Sequence, residues 1–177
     1  MGNNSGFRII ARIHLTVRRN ISVFQSGKSK VLDQGLGSVF YSTMDMESHA
    51  NSIVCGSNCI VMHFTGKECD VAPYTDEYKT IKAVPIAQAA TAYSNPETGE
   101  TPILILHEAI WMGETMDHTL VNTNELRAYM MTFQDYPFVE APIFIATEDH
   151  EFMILFSSKG NILGVSTRSP TNKKLQN

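Results

Sequence analysis

Residues 81–112 constrain the fold of this chain more than any other stretch. Ile81 to Tyr93 is a long run of small and β-branched residues. Ser94-Asn95-Pro96-Glu97-Thr98-Gly99-Glu100 follows, with turn chemistry at Asn-Pro and again at Thr-Gly. Thr101 to Met112 then carries Ile103-Leu104-Ile105-Leu106 and Ile110-Trp111, apolar at successive positions, as in a strand covered on both faces for part of its length. Two such runs around one turn predict a long β hairpin.

Shorter runs of the same kind occupy much of the remaining chain. Gly37 to Met46 is β-branched and aromatic and predicts a strand. Cys59 to Phe64 is apolar, Thr65-Gly66-Lys67 is a turn signal, and Glu68 to Val71 is expected to return as the second arm of a hairpin. Met131 to Phe133, Pro142 to Ala146, Glu151 to Phe156 and Asn161 to Ser166 read as further strands, with Ser157-Ser158-Lys159-Gly160 as a hairpin turn. One strand is expected within Phe7 to Val17, and residues 25–37, rich in Gly, Ser and Lys, read as a loop. Only 123–130 shows helical spacing, through Leu126, Tyr129 and Met130. Asn122 is placed to cap that helix, with Glu125 as its capping-box partner. About eight to ten short strands with one helix predict a mainly β domain of barrel or sandwich type.

Composition bounds the function. A chain of 177 residues, 43% hydrophobic, has the material for one domain with a real core. Net charge is −4 and no basic stripe occurs, which argues against nucleic acid as a partner. No apolar run approaches the ~20 residues that span a bilayer, so no membrane association is expected. The start has no signal-peptide apolar region, and Gly6 stands where a myristoylation start wants Ser or Thr. The expectation is an intracellular, cytoplasmic chain whose three cysteines, Cys55, Cys59 and Cys69, are free thiols.

The chemistry centres on Asp45-Met46-Glu47-Ser48-His49-Ala50-Asn51-Ser52. A strand here delivers a carboxylate into a turn of small polar residues and leaves through Ile53-Val54-Cys55-Gly56. Acid proteases place two carboxylates across one water. The two share a proton, so that one acts as base on the water and the other as acid. Each carboxylate sits on a sharp turn whose next residue carries a hydroxyl, and Glu47-Ser48-His49-Ala50 has that order.

With its flanks, this segment resembles the protease of copia-like retrotransposon polyproteins, where the turn reads Asp-Ser-His-Ala. The likeness runs from Met46 to Val61 and continues through Phe64-Thr65-Gly66-Lys67, Asp70 to Tyr78, Val84-Pro85-Ile86, Ala89 to Tyr93, His118 to Arg127, and Thr167 to Thr171. It covers roughly residues 44–172, leaving 1–43 as an N-terminal extension and 173–177 as a polar tail. The resemblance implies a retropepsin-like closed β-barrel with one short helix near 123–130, working as a homodimer on a peptide or polyprotein substrate without a cofactor or metal. It implies Glu47, Ser48, His49 and Ala50 as the catalytic turn, under a mobile flap formed by 73–82 or by the hairpin tip 94–100, the first being preferred. The chain holds one acid turn, which agrees with a homodimer. Glu97-Thr98-Gly99 resembles a second turn only within a polar hairpin loop.

Two departures matter. Glu47 stands at the Asp position, and Asn51-Ser52 replaces the Asp/Thr pair after the turn. Glu reaches ~1.5 Å further than Asp, about one carbon–carbon bond. A misplacement of ~1 Å can cost ~100-fold in rate, so weak or absent proteolysis is expected on a surviving fold. Asp45, two residues before Glu47 on one strand face, is either a substitute carboxylate or a solvated acid. His49 either tunes Glu47 or points out of the turn. The competing function is a non-enzymatic β domain that dimerises or binds peptide. A further one is a zinc-binding β module built on Cys55, Cys59, His63 and Cys69, against which those residues read as buried thiols and a surface histidine. His107-Glu108 lacks the second histidine of a zinc-protease helix, and Trp111 reads as core or dimer interface.

Overall fold

The structure is a computed structural model that describes residues 9–13, 21–23, 41–47, 50–73, 78–136, 138–159 and 162–171. The described residues are mainly β. Twelve strands are arranged in chain order as β1 Ile9–Ile13, β2 Ile21–Val23, β3 Tyr41–Glu47, β4 Val54–Gly56, β5 Ile60–Pro73, β6 Ile81–Tyr93, β7 Ile103–Gly113, β8 Thr119–Asn122, β9 Thr132–Gln134, β10 Ile143–Ala146, β11 Met153–Lys159 and β12 Ile162–Arg168. Among the described residues a single helix, α1, spans Thr123–Ala128, between β8 and β9. The expected loop at 25–37 lies outside the described residues. Among the described residues no helix is long and apolar enough to cross a membrane.

The long hairpin forms as the sequence predicts. β6 and β7 pair antiparallel from Ile86 opposite Ile110 to Ala92 opposite Ile103. Asn95 builds the tip: its side-chain oxygen accepts from the Glu97 and Thr98 amides at 2.9 and 3.3 Å, the Asx geometry that favours Asn in turns. Ile103, Leu104, Ile105 and Leu106 are all buried, so this part of β7 is covered on both faces.

The second expected hairpin does not form. Residues 60–73 make one strand, β5, paired antiparallel with β6 throughout. Between Phe64 (opposite Ala87) and Glu68 (opposite Pro85), β5 advances four positions while β6 advances two. Gly66 takes φ +77°, and the Thr65 hydroxyl donates to Ile86 O (2.9 Å) while accepting from Lys67 N (3.2 Å). Thr-Gly-Lys is thus a bulge, where a left-handed glycine absorbs extra residues without reversing the chain. The reversal lies beyond Pro73, in the connection to Ile81.

Neighbours in the sheet run β2-β5-β6-β7-β4-β8-β3-β12-β11-β10-β9, with β1 parallel to β7. β3 is parallel to β8, with Glu47 opposite Asn122, and β4 is antiparallel to β8, with Val54 opposite Leu120. β8 therefore lies between β3 and β4. β12 pairs with β3 along its length and also with β6, placing Thr167 opposite Tyr93.

One apolar core joins Met44, Ile53, Cys55, Leu104, Leu106, Val121, Leu126, Ile145, Phe156 and Val165. Side chains of this size contribute roughly 1.5–3 kcal/mol each when fully buried. Within it sits a polar hub. Asn58 is 0% exposed. Its Nδ2 donates to Thr43 O (3.0 Å) and Thr167 Oγ1 (2.7 Å), and its Oδ1 accepts from Thr119 Oγ1 (2.8 Å). The Thr91 hydroxyl donates to Asn58 O at 2.9 Å, and the Cys59 thiol meets Thr119 Oγ1 at 3.2 Å. The hub thereby touches β3, β6, β8 and β12.

Candidate active site

Glu47 is the last residue of β3 and is half-buried. Strand alternation puts Met44 into the core and leaves Asp45 and Glu47 on one face. Ser48 and His49, the next two residues of the expected catalytic turn, lie outside the described residues. Ala50, the fourth, is buried at 1% exposure. The segment then passes through exposed Asn51 and buried Ser52 and Ile53 into β4.

The end of β8 and the start of α1 hold this segment from beneath. Asn122 Nδ2 donates to Ala50 O, and Asn122 Oδ1 accepts from Glu125 N at 3.0 Å, capping the helix as the sequence predicts. Glu125 departs from the expected capping box. Its carboxylate accepts from Ile53 N–H at 3.0 Å, 72 residues away in sequence. Ile53 O accepts in turn from Ile110 N at 3.0 Å. Burial pushes the Glu125 carboxyl up to about 7, against the lowering effect of the Ile53 N–H.

Asp45 is not the freely solvated acid that one sequence reading allowed. It is half-buried, opposite Gly164, and its carboxylate occupies the space where a side chain on Gly164 would begin. Burial raises its pKa, while the Thr43 hydrogen bond and nearby His118 lower it and Asp117 raises it. His118, itself buried, meets Asp117 Oδ1 through Nδ1 at 2.7 Å.

The zinc set does not assemble. Cys55 and Cys59 are buried in the core, whereas His63 is exposed on β5 and Cys69 packs in a separate cluster with Val71 and Val84. Among the described residues no three His, Cys, Asp or Glu side chains could hold a metal ion together. The three cysteines are free, and a hydrogen bond to Cys59, with burial, pushes the Cys55 thiol well above its usual value. His107 and Glu108 lie on a strand, where His107 Nδ1 meets Gln88 Nε2 (2.7 Å) and Glu108 pairs with Lys67 (2.5 Å). Trp111 is half-buried against the main core.

Asn122 and Glu125, which sequence reasoning placed only in a helix cap, hold residues 50 and 53 of the candidate site. Their local spacing marks the cap, but nothing local marks Ala50 and Ile53 as partners. No family model matches this chain, and neither a curated protein nor a solved structure matches it.

Proposed function

We propose that this chain is an aspartic-protease-like domain of retropepsin type, akin to that of copia-like retrotransposon polyproteins, with Glu47 at the acid position. The observation that carries this reading is the strand order: β3 ends in a carboxylate, and β8 lies between it and β4, the next strand in the chain. Glu47 thus stands at the end of β3, and residues 50–53, which lead into β4, are fastened to Asn122 and Glu125. The succession of paired neighbours β6-β7-β4-β8-β3-β12, with β12 returning to β6, supports a closed barrel.

A single acid turn calls for a second copy. In the homodimer, one Glu47 carboxylate takes a proton from the water as its oxygen attacks the peptide carbonyl. The other, protonated, stabilises the tetrahedral centre, and as the C–N bond breaks the leaving nitrogen takes the proton that the first carboxylate accepted from the water. Ser48 would lock each turn and Ala50 would leave room beside the acid. The end of the β5–β6 hairpin serves as the flap, with Tyr78 and Ile81 exposed at 70% and 48%, in preference to the tip at 94–100.

The extra methylene of Glu47 favours a second reading, a non-enzymatic domain that dimerises or binds peptide. Paired acids that each advance ~1.5 Å close the space sized for one water. Peptide-library cleavage at mildly acidic pH separates the readings. Glu47→Asp is expected to raise cleavage by about 10- to 100-fold, and Glu47→Ala to abolish it. No cleavage by any variant, with a monomer on sizing, overturns both the protease and the dimer.

A further inference from the structure

The helix end beneath the acid turn does more than terminate β8. Asn122 has both ends of its amide committed, the nitrogen to Ala50 O and the oxygen to Glu125 N. Three residues later, Glu125 takes the Ile53 N–H. The two grips bracket residues 50–53, which lead into β4, and both come from the N-terminal cap and first turn of one helix.

We propose that Glu125 is a positioning residue for the acid turn, and that gain or loss of a proton on its carboxyl resets how firmly residues 50–53 are held. A carboxylate accepts an N–H bond with charge assistance, roughly twice as strongly as a neutral acceptor. Protonation keeps an acceptor oxygen but weakens the bond.

The surroundings leave Glu125 able to switch. Its neighbours in the core include Ile53 and Leu126, both essentially solvent-free, so burial disfavours its charge. Among the described residues, the ionisable groups of the adjoining elements do not neutralise it. Arg127 on α1 is engaged by Asp135 (3.0 Å) and Asn124 (3.1 Å) and lies over the Phe133 ring. Asp45 and Glu47 on β3 are acids, Glu108 on β7 pairs with Lys67, and His107 on β7 meets Gln88. Asp117 and His118 before β8 pair with each other. Among the described residues, burial and the Ile53 N–H are the influences on the Glu125 carboxyl, and they set its titration at about 7.

The native value lies above the unfolded one, so the folded chain binds the extra proton between about 4.5 and about 7. Stability from this group is therefore greatest at the acid end of that window and falls as pH rises through it.

The role assigned to Glu125 rests on reading residues 47–50 as an acid turn, but its test does not need cleavage. The Ile53 amide resonance is followed by NMR in the whole chain from about pH 5 to about pH 9. The expected result is a one-proton curve with a midpoint near 7 that is missing from Glu125→Gln. The unfolding constant of the parent should also rise about tenfold more than that of Glu125→Gln across the same range, after discounting for solvent screening of a partly exposed group. Ile53 amide exchange should quicken about tenfold in Glu125→Ala relative to Glu125→Gln, which keeps an acceptor. A flat Ile53 resonance in the parent, or an unchanged curve in Glu125→Gln, overturns the proposal. The parent titration alone decides the matter if a variant does not fold. A protein that never cleaves peptide yet titrates at Ile53 loses the protease reading and keeps this one.

Discussion

Asn58→Leu is expected to lower the free energy of unfolding by about 3–5 kcal/mol, seen as a lower urea midpoint at unchanged slope. Leucine keeps the branched shape of asparagine but is larger, so the loss comes from stranded polar groups and overpacking rather than from a cavity. The substitution strands Thr43 O, Thr167 Oγ1 and Thr119 Oγ1, each now bonded to the Asn58 side chain. Leaving a buried donor or acceptor unpaired costs about 1–3 kcal/mol apiece, and partial rearrangement of the threonine hydroxyls recovers some of it. A change in the slope would mean that the native state itself had loosened. A loss below about 1 kcal/mol would mean that the hub is not cooperative.

Gly56→Ala is the second large effect, expected at about 3 kcal/mol or more and a melting temperature lower by about 10 °C. A Cβ at Gly56 would overlap the main-chain oxygens of His118 and Met116. Those oxygens belong to the segment entering β8, and Met116 O already accepts from Ser57 N at 2.8 Å. The backbone can yield only by breaking that bond and disturbing β8, whose end holds residue 50 through Asn122. Gly164→Ala offers a contrast, because there the new carbon meets the Asp45 carboxylate, a side chain able to swing aside. It should cost about 1 kcal/mol, and Asp45→Ala should erase most of that cost, as a double-mutant cycle on thermal melts would show.

The β6–β7 hairpin and the α1 cap were legible because their determinants are local. Asn95 and Asn122 each bond an amide within three residues of themselves. Gly66 misled for a physical reason: a left-handed glycine beside a hydroxyl residue serves a turn and a bulge equally well. Only the long partner strand β6 decides between them, and the local pattern does not contain it. Asn58 sits in Gly56-Ser57-Asn58, which reads as polar turn chemistry, and its burial depends on threonines 15 to 109 residues away. Glu125 was legible as a helix-start acid and illegible as the partner of Ile53. The zinc set had the right residue types, but Cys59 is buried just before β5, and past the register shift between Val61 and His63 the histidine is exposed.

The place of β12 bears on the order in which the chain can acquire its structure. β3 is complete by residue 47, yet one of its two neighbours is made of residues 162–168. On a ribosome, β3 waits with an unpaired edge while more than a hundred residues follow, and the amide of Asn58 waits for Thr167, 109 positions later. Pairing across such separations is slow, and an open apolar edge invites pairing with another chain in the meantime. Expression at low temperature or with holdase chaperones should therefore raise soluble yield more than substitutions on the finished surface.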